Sequence, residues 1–108
     1  MDLISTGKRK VTEKIDEFIK MTATEAVARL RSKEVSPLDL VDASIQRIET
    51  TDKEVNALPI HCFDQARDQA KSFDIKRHAE NPKSLCGLPI AVKDYNDLGG
   101  AVTTYGSP

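Results

Sequence analysis

The sequence predicts an α/β domain that is begun rather than finished. Three observations carry this reading of its 108 residues. Apolar side chains recur at helical spacing through the first fifty residues. Two short apolar runs, 57–62 and 87–93, flank a further helical stretch and read as strands. Gly, Pro, Asn and Ser separate the segments as turns. The resulting order is three helices, a strand, a helix and a strand, the opening of an α/β architecture. Two strands do not make a stable sheet alone, so the chain is expected to stop in mid-fold.

Residues 1–7 read as a flexible lead. Val11, Ile15, Phe18 and Ile19 then predict an amphipathic helix from Lys8 to about Met21. Thr22 with Glu25 has the spacing of a capping box and should start a short second helix, with Ala26, Val27 and Leu30 on its apolar side. Ser36-Pro37-Leu38-Asp39 is a stronger start signal. Ser36 suits the N-cap, Pro37 the first helical position, and Asp39 the box or the helix dipole. Leu38, Val41, Ile45 and Ile48 form one stripe, which predicts a helix to about Thr51. Ala57-Leu58-Pro59-Ile60-His61-Cys62 is expected to be a strand, with Pro59 confining it to an edge or a strand start. Asp64 to about Ala79 should be one helix with Ala66, Ala70 and Phe73 on a face. Asn81-Pro82-Lys83-Ser84 is a turn. Gly87 to Asp94 is the second strand, and a Gly- and Thr-rich loop follows over 97–107.

A hydrophobic fraction of 39% against 31% charged residues places the chain among soluble globular proteins rather than disordered ones. With 5% aromatics and no Trp, the core has to be aliphatic. The formal net charge of -1 offers no field for nucleic acid or acidic membranes. The basic run Lys8-Arg9-Lys10 is followed by Glu13, Asp16 and Glu17 and reads as a solvated helix face. Cys62 and Cys86 form no CxxC pair, and the N-terminus lacks a signal-peptide pattern. Reduced thiols in the cytoplasm are therefore expected. No apolar run approaches the ~20 residues of a membrane span.

The chemistry concentrates at Lys93. Strand alternation puts Leu88, Ile90 and Val92 on one face and Pro89, Ala91 and Lys93 on the other. The small second face predicts a tight, dry pocket for the lysine. Desolvation there would favour the neutral amine, fit to act as a base, form a Schiff base or hold a phosphate. The plainer alternative is a solvated lysine at a strand end, paired with Asp94 or Asp97. A kinase-type strand lysine needs a Gly-rich loop in preceding strands, whereas the upstream region is helical. A GxxxxGK phosphate loop is absent. His61 with Cys62, and His78 with Cys86, match no zinc spacing and read as structural. His78 suits a last helical turn. Ser5, Ser32, Ser36, Ser44, Ser72 and Ser84 lack a Gly-x-Ser-x-Gly setting and are assigned no nucleophilic role.

Gly87-Leu88-Pro89-Ile90-Ala91-Val92-Lys93-Asp94, continued by Asp97, Gly100, Thr103-Thr104 and Gly106-Ser107, resembles the first block of the amidase signature family. Ser36-Pro37-Leu38-Asp39-Leu40-Val41 and Asn56-Ala57 resemble that family's N-terminal helices and the turn after them. The similarity runs from about Thr22 to Pro108. It implies a mixed β-sheet flanked by helices, of which this chain would hold the outer helices and first strands. Residues 1–21 would then be a lead and helix, and 22–108 the first part of one amidase-like domain. The implied activity is hydrolysis of amide bonds by a Ser–cis-Ser–Lys triad whose lysine is Lys93, acting as base through the bridging serine.

In the family both serines lie in a downstream Gly/Ser-rich segment, which this chain does not reach. Ser107 matches a first-block Gly-Ser position and not the nucleophile. Tyr95-Asn96 and Gly99 depart from the usual loop, so substrate preference is not carried over. The resemblance implies a small-molecule amide as substrate of the full-length enzyme. No cofactor or metal is expected, and the charge and hydropathy above argue against nucleic acid or membrane as partner. The isolated chain is expected to be inactive. Exposed edges and apolar faces predict self-association or a homodimer. Two other readings stand beside this one. The stripe Leu38, Val41, Ile45 and Ile48 could instead serve a small helical interaction module. The block also suits part of a glutamine-dependent amidotransferase subunit.

Overall fold

The computed structural model describes residues 16–93 and 96–104. Its elements are helices: α1, described over 16–20, then α2 (Ala23–Arg31), α3 (Pro37–Val55), α4 (Phe63–Ser72) and α5 (Ile75–Ala79). The portion of the predicted first helix before residue 16 lies outside the described residues.

Local capping chemistry sets the helix starts. Thr22 Oγ1 accepts the Glu25 N–H at 3.1 Å, and the Glu25 carboxylate accepts the Thr22 N–H at 3.2 Å. Ser36 and Asp39 make the same reciprocal pair at 3.1 and 3.0 Å, with Pro37 at the first helical turn. Each box satisfies two N–H groups that a helix start leaves unpaired. Two boundaries differ from expectation. α3 continues past Thr51 to Val55, and Thr50 and Thr51 are accommodated within it with their hydroxyls donating to the Gln46 and Arg47 carbonyls. The helix stops where Asn56 takes the left-handed conformation, at φ 54°. The predicted helix over 64–79 is two helices. Phe73 is extended (ψ 124°), and Asp74 caps α5 by accepting the Arg77 N–H.

The predicted mixed β-sheet is corrected by the structure: no strand forms among the described residues. A strand is held by a neighbour's ladder of hydrogen bonds, and neither apolar run supplies one to the other. In the first run the N–H groups of Ala57 and Leu58 donate to the Asp52 carboxylate at 2.8 and 3.2 Å, and Pro59 has no N–H to give. In the second, the Leu88 N–H closes a turn on the Leu85 carbonyl. Apolar, β-branched composition describes a surface suited to pairing and does not create the partner.

The core is aliphatic, as the composition requires. Ala26, Leu30, Val35, Leu40 and Cys86 are buried together, with Phe18, Met21, Val27, Ile75 and Leu88 packed around them. Leu30 is 0% exposed, a burial worth about 1.5–3 kcal/mol. α2 packs on α5, and α3 packs on α4. The buried face of α3 carries Leu40, Val41, Ala43 and Ile45. Leu38 and Ile48, predicted for that stripe, are half-buried at its margin. An ion pair from Arg67 to Asp42 at 3.0 Å ties α4 to α3. No helix among the described residues is long and apolar enough to cross a membrane.

Candidate functional site around Lys93

The approach to Lys93 begins in a dense turn. The predicted turn at 81–84 forms, with the Asn81 side chain accepting the Lys83 N–H and its carbonyl accepting the Ser84 N–H. Arg31 then donates to the Ser84 carbonyl at 3.2 Å, fastening this turn to α2. Ser84 Oγ accepts the Cys86 N–H at 3.1 Å and lies 3.2 Å from His78 Nδ1. The His78 ring stacks on Phe73, with centroids 4.8 Å apart. Cys86 and Gly87 both have positive φ, 55° and 88°. They occupy the two central positions of the turn that Leu88 N–H closes on Leu85 O, as turns of the primed type demand.

Cys86 is 1% exposed and belongs to the core. Gly87 lies directly against the first residue of α3. A Cβ at Gly87 would stand 2.6 Å from Pro37 Cγ, 2.9 Å from Pro37 Cβ and 3.3 Å from Phe73 Cδ1. Two segments fifty residues apart in sequence, the α3 cap and the Gly87–Asp94 block, therefore meet in space.

Beyond Leu88 and Pro89 the chain leaves the core. Ile90 is 74% and Val92 41% exposed, and Ala91 and Lys93 are exposed as well. This corrects the expected dry pocket: alternation placed Lys93 on a small-residue face, but both faces of 90–93 meet solvent. Without a sheet there is no covered face for alternation to select. The Lys93 carbonyl accepts the Asn96 N–H at 3.0 Å and starts the following turn. Asp94, one of the acidic partners the sequence offered, lies outside the described residues. Further along, Gln65 on α4 donates to the Gly99 carbonyl at 3.1 Å. Gly100, at φ 82°, sits so close that a Cβ there would come within 3.3 Å of the Gln65 amide.

The loop after Lys93 also walls an open groove of about 510 Å³, shared by His61, Phe63, Arg67, Gly100 and Val102. His61 stacks on Phe63 at 4.5 Å, and its Nε2 lies 3.9 Å from the Asp52 carboxylate. Cys62 is half-buried and precedes α4 without a side-chain capping bond. Lys93 does not line this groove. No three His, Cys, Asp or Glu side chains among the described residues converge to hold a metal. Gln65 and the seat that Pro37 makes for Gly87 were not legible in the sequence. Gln65 carries no local signal, being one polar residue on a polar helix. Gly87 was expected to open a strand, and nothing local named Pro37 as its neighbour.

A family model described as amidase matches residues 39–108, which contain the whole Lys93 block. This chain belongs to the amidase family. It is similar to an amidase of Pseudomonas putida, 33% identical over 94 residues that cover 87% of this chain and 20% of the relative. It is also similar to a glutamyl-tRNA(Gln) amidotransferase subunit of Anaeromyxobacter dehalogenans, 38% identical over 92 residues, covering 84% of this chain and 19% of the relative. The corresponding subunit of Streptomyces coelicolor is 35% identical over 94 residues, covering 86% and 19%. The chain thus spans about a fifth of the length of these relatives. No solved structure matches it. The matched region includes the segment that a buried turn launches and an α4 glutamine catches.

Proposed function

We propose that this chain is the N-terminal portion of a cytoplasmic amidase acting on the carbon–nitrogen bond of a small-molecule amide, and that Lys93 is the lysine of a Ser–cis-Ser–Lys triad. The observation that supports it most is the Gly87–Asp94 block, which falls inside the region matched by the family model. In the proposed chemistry the neutral lysine takes a proton through a bridging serine, and the nucleophilic serine attacks the amide carbonyl. Backbone N–H groups hold the oxyanion. Ammonia or an amine leaves, and water releases the acyl group.

Both serines come from a family segment not represented here. Four of the five described serines have other duties: Ser36 caps α3, Ser84 orders the turn before Cys86, and Ser32 and Ser72 donate to carbonyls of their own helices. Lys93 is exposed, without the dry surroundings a lysine base requires. The isolated 108-residue chain is therefore expected to leave amides intact.

The test is a chimera in which this chain replaces the matching N-terminal segment of the Pseudomonas putida relative. Amide turnover by the folded chimera, with none by the chain alone, is expected. Turnover by the chain alone, or a folded chimera without turnover, counts against the proposal. The names of the second and third relatives favour one further reading, part of a glutamine-dependent amidotransferase subunit. Preferential hydrolysis of glutamine over simple aliphatic amides would distinguish it.

A further inference from the structure

We infer that Pro37 and Gln65 are positioning residues for Lys93, holding the segment that bears it at two points. This rests on the proposed role of Lys93 and extends it to the residues that place the lysine. The first point lies six residues before Lys93. Gly87 is seated on Pro37 so closely that no side-chain atom fits between them. Leu88 packs on the core, and a residue before proline is restricted to extended backbone, so the chain leaves the seat in a fixed direction through Pro89. The second point lies six residues after Lys93. Gln65 donates to the Gly99 carbonyl at 3.1 Å, and its amide fills the space where Gly100 lacks a Cβ. Between the two points, Ile90, Val92 and Lys93 are exposed.

The two anchors reach back to different helices, α3 and α4. These are themselves packed together and bridged by the Arg67–Asp42 ion pair. The two anchors on either side of the lysine thus rest on one packed pair of helices. A reacting group needs such a support: a displacement of about 1 Å at a catalytic group costs on the order of a hundredfold in rate.

Gln65 offers the cleaner test, because its loss creates no cavity in the core. Gln65→Ala removes both the hydrogen bond and the packing. Gln65→Glu keeps the shape but cannot donate to the Gly99 carbonyl. In the whole 108-residue chain, spin labels at Lys93→Cys and Gln46→Cys, on a Cys62→Ser background with Cys86 left buried, report where the Lys93 segment lies relative to α3. The parent should give one narrow distance population, and both Gln65 variants should broaden or shift it at unchanged helix content. In the amidase chimera the same two variants should lower kcat about 10–100-fold with KM held within about twofold.

An unchanged distance distribution in both variants, or a parental distribution already as broad as theirs, overturns the positioning role. So does a kcat loss that merely follows the folded fraction. If Lys93→Ala abolishes turnover while both Gln65 variants keep parental kcat, the positioning role falls and the lysine assignment stands. If Lys93→Ala keeps parental turnover, the lysine assignment falls, and the distance measurement alone decides whether Gln65 holds the segment.

Discussion

Replacing Gly87 with alanine should be among the most damaging single-methyl changes in this chain. The added Cβ would lie 2.6 and 2.9 Å from Pro37 carbons and 3.3 Å from the Phe73 ring. Pro37 is buried at the start of α3, so it has little room to yield. Overpacking of this kind costs about 1–3 kcal/mol. The φ of 88° at Gly87 adds a left-handed penalty of about 1–2 kcal/mol for an L side chain. The lower entropy of the unfolded alanine chain returns only about 0.4–1 kcal/mol. The net loss is about 2–4 kcal/mol, or on the order of 10–25 °C in Tm for a domain of this size. Gly99 supplies the control, because a Cβ there meets nothing within 4 Å and its φ is not in the left-handed region. Urea titration followed by far-UV circular dichroism should show Gly87→Ala strongly destabilised and Gly99→Ala within about 0.5 kcal/mol of the parent. Equal midpoints for the two variants would refute the seat on Pro37.

Two further outcomes follow from the same packing. Ser36→Ala removes one half of the α3 capping box and should cost about 0.5–2 kcal/mol in the same urea titration, with Ser36→Asp restoring most of it. Under native conditions iodoacetamide should modify Cys62 much faster than Cys86, which is 1% exposed, and the two rates should converge in denaturant. The Arg29–Glu17 bond, 2.6 Å long, raises the Arg29 pKa above its ordinary value. A raised base stabilises the fold below its unfolded pKa and is lost only as pH climbs through the folded one. Thermal melts between pH 6 and 10 should therefore show no pH dependence from the Arg29 side of this pair.

What could be read from the sequence was what is local. The two capping boxes and the Asn81 turn formed as expected, because residues within three positions of one another decide them. The two strands did not, because a strand is defined by a partner, and no pairing segment can be inferred from the alternation of Leu88, Ile90 and Val92. That same gap removed the dry face assigned to Lys93. The break at Phe73-Asp74 went unseen because Ala66, Ala70 and Phe73 kept helical spacing up to it, and Asp74 as a cap looked like one more polar residue. Resemblance, carried by the block around Lys93, found the family correctly. The Pro37–Gly87 seat and the Gln65–Gly99 bond are contacts across fifty and thirty-four residues, and no local pattern announces them.

In the proposed function Lys93 carries the chemistry rather than the fold. The most direct measurement is amide turnover by the chimera bearing Lys93→Ala, compared with its parent at equal folded concentration. Because Lys93 is exposed, the substitution should change stability by less than about 0.5 kcal/mol, while turnover should fall about 10²–10⁴-fold. Parental turnover in a folded Lys93→Ala chimera would contradict a catalytic role for Lys93.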